Sequence, residues 1–303
     1  MSDSIFRIIA RKLFRAVFKH YRRDYGRYTI LMKYFIPWAA PTSNDVFDII
    51  TMDDGIRLEL NVREYNQGYF YLFNNYEPET VAFLQQQTKK GDYAFDIGAN
   101  MGYMSQILSR AVGENGKVFS FEPDPLNFVK LKKHNAMNNS NNVFPFQIAL
   151  SKETGSLTLY HCIVDNSSSH STIFYDARVS DTDTITVPAQ TFDSFVKEQN
   201  ISKVDIVKID VDGGEFNVIE GMKETLLEKK PIVILELFSE MLNISGMSVR
   251  TFKEYFYDNF DYVSYKLNQN GVLTESPITE YHHTDNVVFV HTSKKDTLVN
   301  VRK

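Results

Sequence analysis

The chain contains one cysteine, Cys162, among 303 residues. No intrachain disulfide can form, and no cysteine-based zinc site can be assembled. A reducing compartment fits this shortage of thiols, and a cytoplasmic location is the expectation. Glycine and proline are also scarce, at 14 and 9 residues, which excludes collagen-like and low-complexity architectures. No apolar run approaches the roughly 18 residues that a spanning helix needs. Nor does the N-terminus read as a secretory leader: Arg7, Arg11, Lys12 and Arg15 interrupt its apolar residues.

Aromatic residues are plentiful, with 23 Phe and 17 Tyr, and 43% of the chain is apolar. That supports one large α/β domain with an appendage. The net charge of -5 is unevenly spread: residues 1–40 hold nine Lys/Arg against Asp3 and Asp24, a balance of +7, so the remainder carries -12. An acidic body argues against nucleic acid as the main partner.

Residues 4–23 read as a basic amphipathic helix, with Ile5, Ile9, Leu13, Val17 and Tyr21 recurring every four positions. The common arrangement docks such a helix on the protein's own body, or on a second subunit, with its basic face in solvent. The competing arrangement lays it on an anionic membrane surface, which would put the protein at the inner face of a membrane. Pro37 and Pro41 then break the chain, dividing an N-terminal extension, 1–44, from a domain at 45–303.

Residues 45–60 predict a β-hairpin turning at Asp53-Asp54-Gly55, and 77–89 a helix opened by Pro78. From Asp92 onward strand and helix alternate. Strands are expected at 93–97, 117–121, 143–150, 204–209 and 232–237, with helices at 101–112, 125–138 and 214–229. This rhythm predicts a mostly parallel sheet with helices on both faces. A Ser/Thr/Asp-rich insertion at about 151–190 predicts a hairpin and a loop, Asp165 to Thr172, over the strand ends. A helix at 248–257 and strands at 262–267 and 287–291 complete the expected elements. Tyr69, Phe70 and Tyr71 read as a wall of the core, or else of the substrate side, with core the default.

In an open parallel sheet, ligands bind at the carboxyl ends of the strands. Asp96 ends the first strand, and Gly98-Ala99-Asn100-Met101-Gly102 forms a tight turn before a helix N-terminus. Glu122 ends the second strand, where a carboxylate can take both ribose hydroxyls. A nicotinamide dinucleotide would want G-x-G-x-x-G. Asn100 and Tyr103 occupy its second and third glycine slots, so a pyrophosphate would lose its close backbone approach. A sulfonium cofactor carries no pyrophosphate, and its cation and ammonium group favour nearby acids such as Asp96.

The stretches Phe95 to Gly102, Phe121-Glu122-Pro123-Asp124-Pro125 and Lys208-Ile209-Asp210-Val211-Asp212-Gly213-Gly214-Glu215 resemble three signatures of the FkbM-type methyltransferases. Tyr76-Glu77-Pro78-Glu79 and Ile234-Leu235-Glu236 also match. The resemblance runs from about residue 50 to 291. It implies the Rossmann-like class I methyltransferase fold, a seven-stranded sheet with an antiparallel last strand at 287–291. It also implies S-adenosyl-L-methionine as cofactor, and O-methylation of a hydroxyl on a sugar, glycan or secondary-metabolite acceptor. The alternative is a non-catalytic binder of the same cofactor. Two departures stand out: Asp212 replaces a usual Glu, and Gly214 follows Gly213 where a larger residue is usual.

The expected cofactor set is Glu77, Asp96, Gly98, Ala99, Asn100, Met101, Gly102, Glu122, Pro123, Ala149 and Asp210. The expected catalytic acids are Asp210, Glu215 and Glu236, since a sugar hydroxyl is a poor nucleophile and needs help losing its proton. Glu215 has a second reading as a stabiliser of its helix N-terminus. Lys208, in an otherwise apolar strand, either neutralises an acid or snorkels outward. His282, His283 and Asp285 offer imidazole and carboxylate ligands, yet a loop His pair is more often solvated, and no metal is assigned. His161 and His170 read as loop residues of the insertion.

Overall fold

The computed structural model describes residues 5–18, 33–34, 46–74, 76–162, 171–173, 179–276 and 284–302. The chain divides into two compact units. Described residues up to Glu77, with Cys162, form the first. Pro78–His161 and the described residues from Ser171 onward form the second. The hairpin expected at 45–60 groups with the N-terminal helix in the first unit.

In the first unit, α1 spans Ile5–Phe18. The predicted hairpin forms from β1 (Phe47–Thr51) and β2 (Arg57–Asn61), paired antiparallel. Alternation sets its faces: Ile56, Leu58 and Leu60 are buried. A helix that the periodicity did not suggest, α2 (Tyr65–Phe73), starts where the Glu64 carboxylate accepts from the Asn66 and Gln67 amides. Tyr69, Phe70 and Tyr71 are buried along it, as core residues should be. Burial, with Asp48 nearby, pushes the Tyr71 hydroxyl well above the usual tyrosine range.

The orientation of α1 departs from expectation. Arg11 is only 1% exposed and its Nε lies 3.2 Å from Asp48 Oδ2. Arg15 donates to the Thr51 carbonyl and to Asn74 Oδ1. Phe18 packs edge-on against Phe73. The side holding Arg11, Arg15 and Phe18 therefore faces the body, and the side holding Phe6, Ile9, Leu13 and Val17 faces solvent. A buried charge is tolerated only when paired, and Asp48 supplies the partner.

In the second unit, α3 (Pro78–Gln87) precedes the alternating segment. Its elements are β3 (Tyr93–Ile97), α4 (Tyr103–Val112), β4 (Lys117–Phe121), α5 (Pro125–Met137) and β5 (Val143–Phe146). β10 (Ile206–Ile209), α7 (Glu215–Glu220), α8 (Lys223–Glu228) and β11 (Ile232–Phe238) follow later. After them come α9 (Ser239–Ser245), α10 (Val249–Phe260), β12 (Tyr262–Leu267), β13 (Leu273–Glu275), β14 (Thr284–His291) and β15 (Val301–Arg302). The central sheet has the order β15-β13-β12-β14-β11-β10-β3-β4-β5. The seven strands from β12 to β5 are the expected set, with β14 antiparallel to both β11 and β12. The short strands β13 and β15 extend one edge.

Four details differ from the reading of the sequence. The single strand expected at 143–150 is two: β5 stays in the central sheet, while β6 (Ala149–Leu150) leaves it. β6 pairs with β9 (Val179–Gln190) in a second sheet with β7 (Gly155–Cys162) and β8 (Ser171–Thr172), order β6-β9-β7-β8. The insertion is thus a four-stranded sheet rather than a hairpin, and most of the loop expected at 165–172 lies outside the described residues. The helix expected at 214–229 breaks at Gly221, where an added Cβ would meet the Ser151 carbonyl at 2.1 Å. A short helix, α6 (Phe192–Glu198), fills the interval before β10.

One sheet face is a continuous apolar core. Phe95, Ile97, Phe119, Phe121, Val207, Ile209, Val233, Leu235 and Phe289 join Phe192 and Phe195 of α6 there. Phe119 stacks on Phe95 at 4.9 Å, and Phe195 meets Phe121 edge-on at 4.7 Å, geometries that ring quadrupoles favour. The residues between them point the other way, and several are polar.

Candidate active site

That second face carries a polar row. The register sets Ser120 beside Asp96 and Asp96 beside Lys208. Asp96, Ser120 and Lys208 are all buried. Ser105 Oγ, on α4, donates to Asp96 Oδ2 at 2.5 Å and lies 2.8 Å from Ser120 Oγ. Lys208 Nζ lies 2.9 Å from Asp210 Oδ2, so it neutralises an acid and does not snorkel. Burial raises the Asp96 carboxyl above its usual range, and the Lys208 charge opposes that rise. Asp96 Oδ1 is buried with no hydrogen-bond partner among the described residues. Ser105, Ser120 and His134 were not singled out by the sequence reading. The available signal for Ser120 was its position between two phenylalanines in a buried strand.

Above this row the chain turns through Gly98 to Gly102. Gly98, Asn100 and Gly102 have φ of 79°, 49° and 88°. The region admits glycine freely and tolerates asparagine. Gly98 and Ala99 amides donate to the Phe121 carbonyl, and the Asp210 amide donates to that of Ile97. His134 Nδ1 lies 2.7 Å from the Met101 carbonyl; because a carbonyl only accepts, Nδ1 carries the proton. Gly102 caps α4 with no side-chain acceptor for its first amides, so the N-terminus of the helix keeps its positive end open.

Glu122 lies at the end of β4, buried. Its Oε2 accepts from the Asn100 amide at 2.7 Å and its Oε1 from the Asp124 amide at 2.9 Å. Burial pushes its carboxyl up to about 8, against those two hydrogen bonds. Each oxygen keeps acceptor capacity for one more donor. Asp124, after Pro123, caps α5 through the Leu126 and Asn127 amides, and its other oxygen lies 2.8 Å from His161 Nε2. His161 is in strand β7, not in a loop, and its contact ties the insertion to the end of β4. His170, His282 and His283 fall outside the described residues, as does the side chain of Asp285.

Asp210 follows β10 and is partly exposed. A carboxylate oxygen of Glu236, on β11, lies within 4.8 Å of one of Asp210. Glu215 opens α7 but is buried; its Oε1 accepts from the Val211 and Gly213 amides. Burial pushes its carboxyl up to about 7. This geometry gives Glu215 a turn to hold. That turn contains Asp212 and Gly213 at φ 47° and 101°, and the Asp212 carbonyl accepts from Thr172 Oγ1. Ala149 is buried in β6. Glu77 ends the first unit at φ 42°, immediately before α3. The strand ends thus gather Gly98, Asn100, Glu122, Asp210 and Glu236, with Asp96 behind them as a fully buried support.

The Methyltransferase FkbM domain matches residues 96–263. Hexuronic acid methyltransferase AglP of Haloferax volcanii is 27% identical over 161 residues, which cover 53% of this chain and 62% of AglP. Methyltransferase 1 of Beauveria bassiana is 22% identical over 162 residues, covering 48% of this chain and 64% of that protein. The chain therefore spans less than two thirds of each relative. The crystal structure of Methyltransferase FkbM from Methylobacillus flagellatus KT aligns over 75% of this chain and 53% of its own, with 14% identity and a TM-score of 0.45. With the domain matched over more than half its length, and the three signatures converging on one set of strand ends, the chain belongs to the FkbM methyltransferase family.

Proposed function

We propose that the protein is an S-adenosyl-L-methionine-dependent O-methyltransferase whose acceptor is a hydroxyl of a sugar, glycan or related small molecule. The observation carrying this reading is the Gly98–Gly102 turn between two acids, Glu122 and Asp210. When bound, S-adenosyl-L-methionine supplies an electrophilic methyl group. The residues suit it: a ribose diol can donate to the two Glu122 oxygens, and Gly98 lets the backbone approach closely. The buried Asp96 and the partly exposed Asp210 supply negative potential for the sulfonium and ammonium charges.

Glu236 is the acid that remains for the acceptor, and Asp210, beside it within 4.8 Å, faces both cofactor and acceptor. One takes the hydroxyl proton and the other orients the acceptor, the division of roles that general-base catalysis requires. Lys208 Nζ, 2.9 Å from Asp210 Oδ2, fixes the direction of that carboxylate. Support for a sugar acceptor comes from AglP, whose name states a hexuronic acid substrate.

Calorimetry with S-adenosylhomocysteine, followed by radiolabelled methyl transfer to hexuronic acid glycosides, tests both halves. Binding that falls at least about tenfold in Asp96→Asn or Glu122→Ala supports the site. Absence of binding by the unaltered protein would refute it. Binding without methyl transfer to any hydroxylated acceptor would favour a non-catalytic cofactor binder.

A further inference from the structure

Helix α1 is amphipathic in an inverted sense. Phe6, Ile9, Leu13 and Val17 are between 51% and 68% exposed, at spacings of three, four and four residues that fall on one helix side. With 1.5 Å of rise per residue, the stripe runs about 16 Å. The opposite side is the anchored one: Arg11 is buried against Asp48, and Arg15 donates to Thr51 and Asn74. A helix docked on its own protein normally turns such a stripe inward. This one anchors through Arg11, Arg15 and Phe18 and leaves Phe6, Ile9, Leu13 and Val17 outside.

We propose that the outer face of α1 docks on an anionic lipid bilayer. Charge complementarity identifies the occupant. Ile5–Phe18 contains no acidic residue, exposed Lys12 flanks the stripe, and residues 1–40 carry +7, still +5 when Arg11 and Arg15, held by the body, are left out, while the rest of the chain carries -12. A bilayer surface takes both features at once, apolar side chains at the acyl boundary and cations among the headgroups. A second copy would instead bring another +7 segment against the first. The stripe is too short and the helix too charged to cross the membrane, so the contact lies in the interfacial plane. Such docking would hold the enzyme beside lipid-linked acceptors.

The test floats the full chain with vesicles of phosphatidylcholine alone or with added phosphatidylserine, at low and high salt. The unaltered protein should float with the phosphatidylserine vesicles and less with neutral ones, and salt should weaken the binding. The double variant Ile9→Ser/Leu13→Ser changes exposed side chains only, so its melting temperature should be unchanged. Its vesicle binding should fall at least about tenfold. Equal flotation of the double variant, or no flotation of the unaltered protein, would overturn the proposal. So would a dimer in solution that the double variant dissolves, since the stripe would then be an interface between copies. None of these outcomes bears on cofactor binding, which calorimetry reads separately.

Discussion

A β-carbon on Gly98 would stand 1.7 Å from the carbonyl oxygen of Asp210. The first and third signatures therefore touch backbone to backbone, and the left-handed φ of 79° at Gly98 compounds the demand. Gly98→Ala should cost at least about 2 kcal/mol of folding stability, because neither the clash nor the strain can relax through a flexible side chain. Denaturant unfolding checks this. Cofactor affinity should fall with it, since the same shift moves the Asp210 backbone.

Glu122 should make cofactor binding depend on pH. Its carboxyl is pushed up to about 8 by burial, so below that pH the free protein holds a proton there. Ribose hydroxyls donate best to the ionised form. Affinity should therefore rise as pH increases toward about 8 and level off above it, with a proton released on binding. Folding follows the opposite trend. The native state binds more protons than the unfolded chain between the ordinary carboxyl value and about 8, so this group's stability contribution declines as pH rises through that window. Titration calorimetry in buffers of different ionisation heat checks the proton release, and Glu122→Gln should abolish the slope.

Lys208 is the cation shared by a buried polar row. Lys208→Met keeps the side-chain volume but leaves the carboxylates of Asp96 and Asp210 without their positive neighbour. The expected loss is on the order of 3 kcal/mol, in line with removal of one partner from a buried ion pair. Neutralising Asp96 as well, in Lys208→Met/Asp96→Asn, should recover part of that loss. A double-mutant cycle of thermal unfolding checks it; strictly additive losses would rule out the coupling.

Glu215 can be a base or a holder of its turn, and the two are separable. The holder needs only an acceptor for the Val211 and Gly213 amides, which Gln supplies. Glu215→Gln should then keep turnover within about threefold of the unaltered enzyme, whereas Glu215→Ala loses about 1–2 kcal/mol of stability through unpaired buried amides. A methyl-transfer assay with both variants decides the role. Collapse of activity in Glu215→Gln at full stability would make it the base.

Much of the second unit was legible in the sequence for a local reason. β3, β4, β10 and β11 are short apolar runs bounded by turn residues. Their order, with an antiparallel partner at β14, follows from alternation and a recognisable set of signatures. The cofactor turn was legible because glycine and asparagine at left-handed positions, followed by a helix, leave a mark in five consecutive residues. The helices α2, α6 and α9 left weaker marks. α6 is only seven residues long, and α2 confines its polar residues, Asn66 and Gln67, to its first turn, so no polar face repeats along it.

What the amino-acid sequence by itself determined was the order of elements, the family signatures and the position of the acids at strand ends. These depend on residue type and short-range spacing. Only the tertiary structure decided which neighbours those residues meet. It set Lys208 beside Asp96, put Ser105 and Ser120 around one carboxylate, and sent Ala149 into a second sheet. It also turned the arginines of α1 inward and its apolar stripe outward. The reason is physical: helical periodicity defines two faces but not which is buried. That choice fell to Asp48 and Asn74, tens of residues away in the chain, whose polar groups make the arginine side the one the protein can hold.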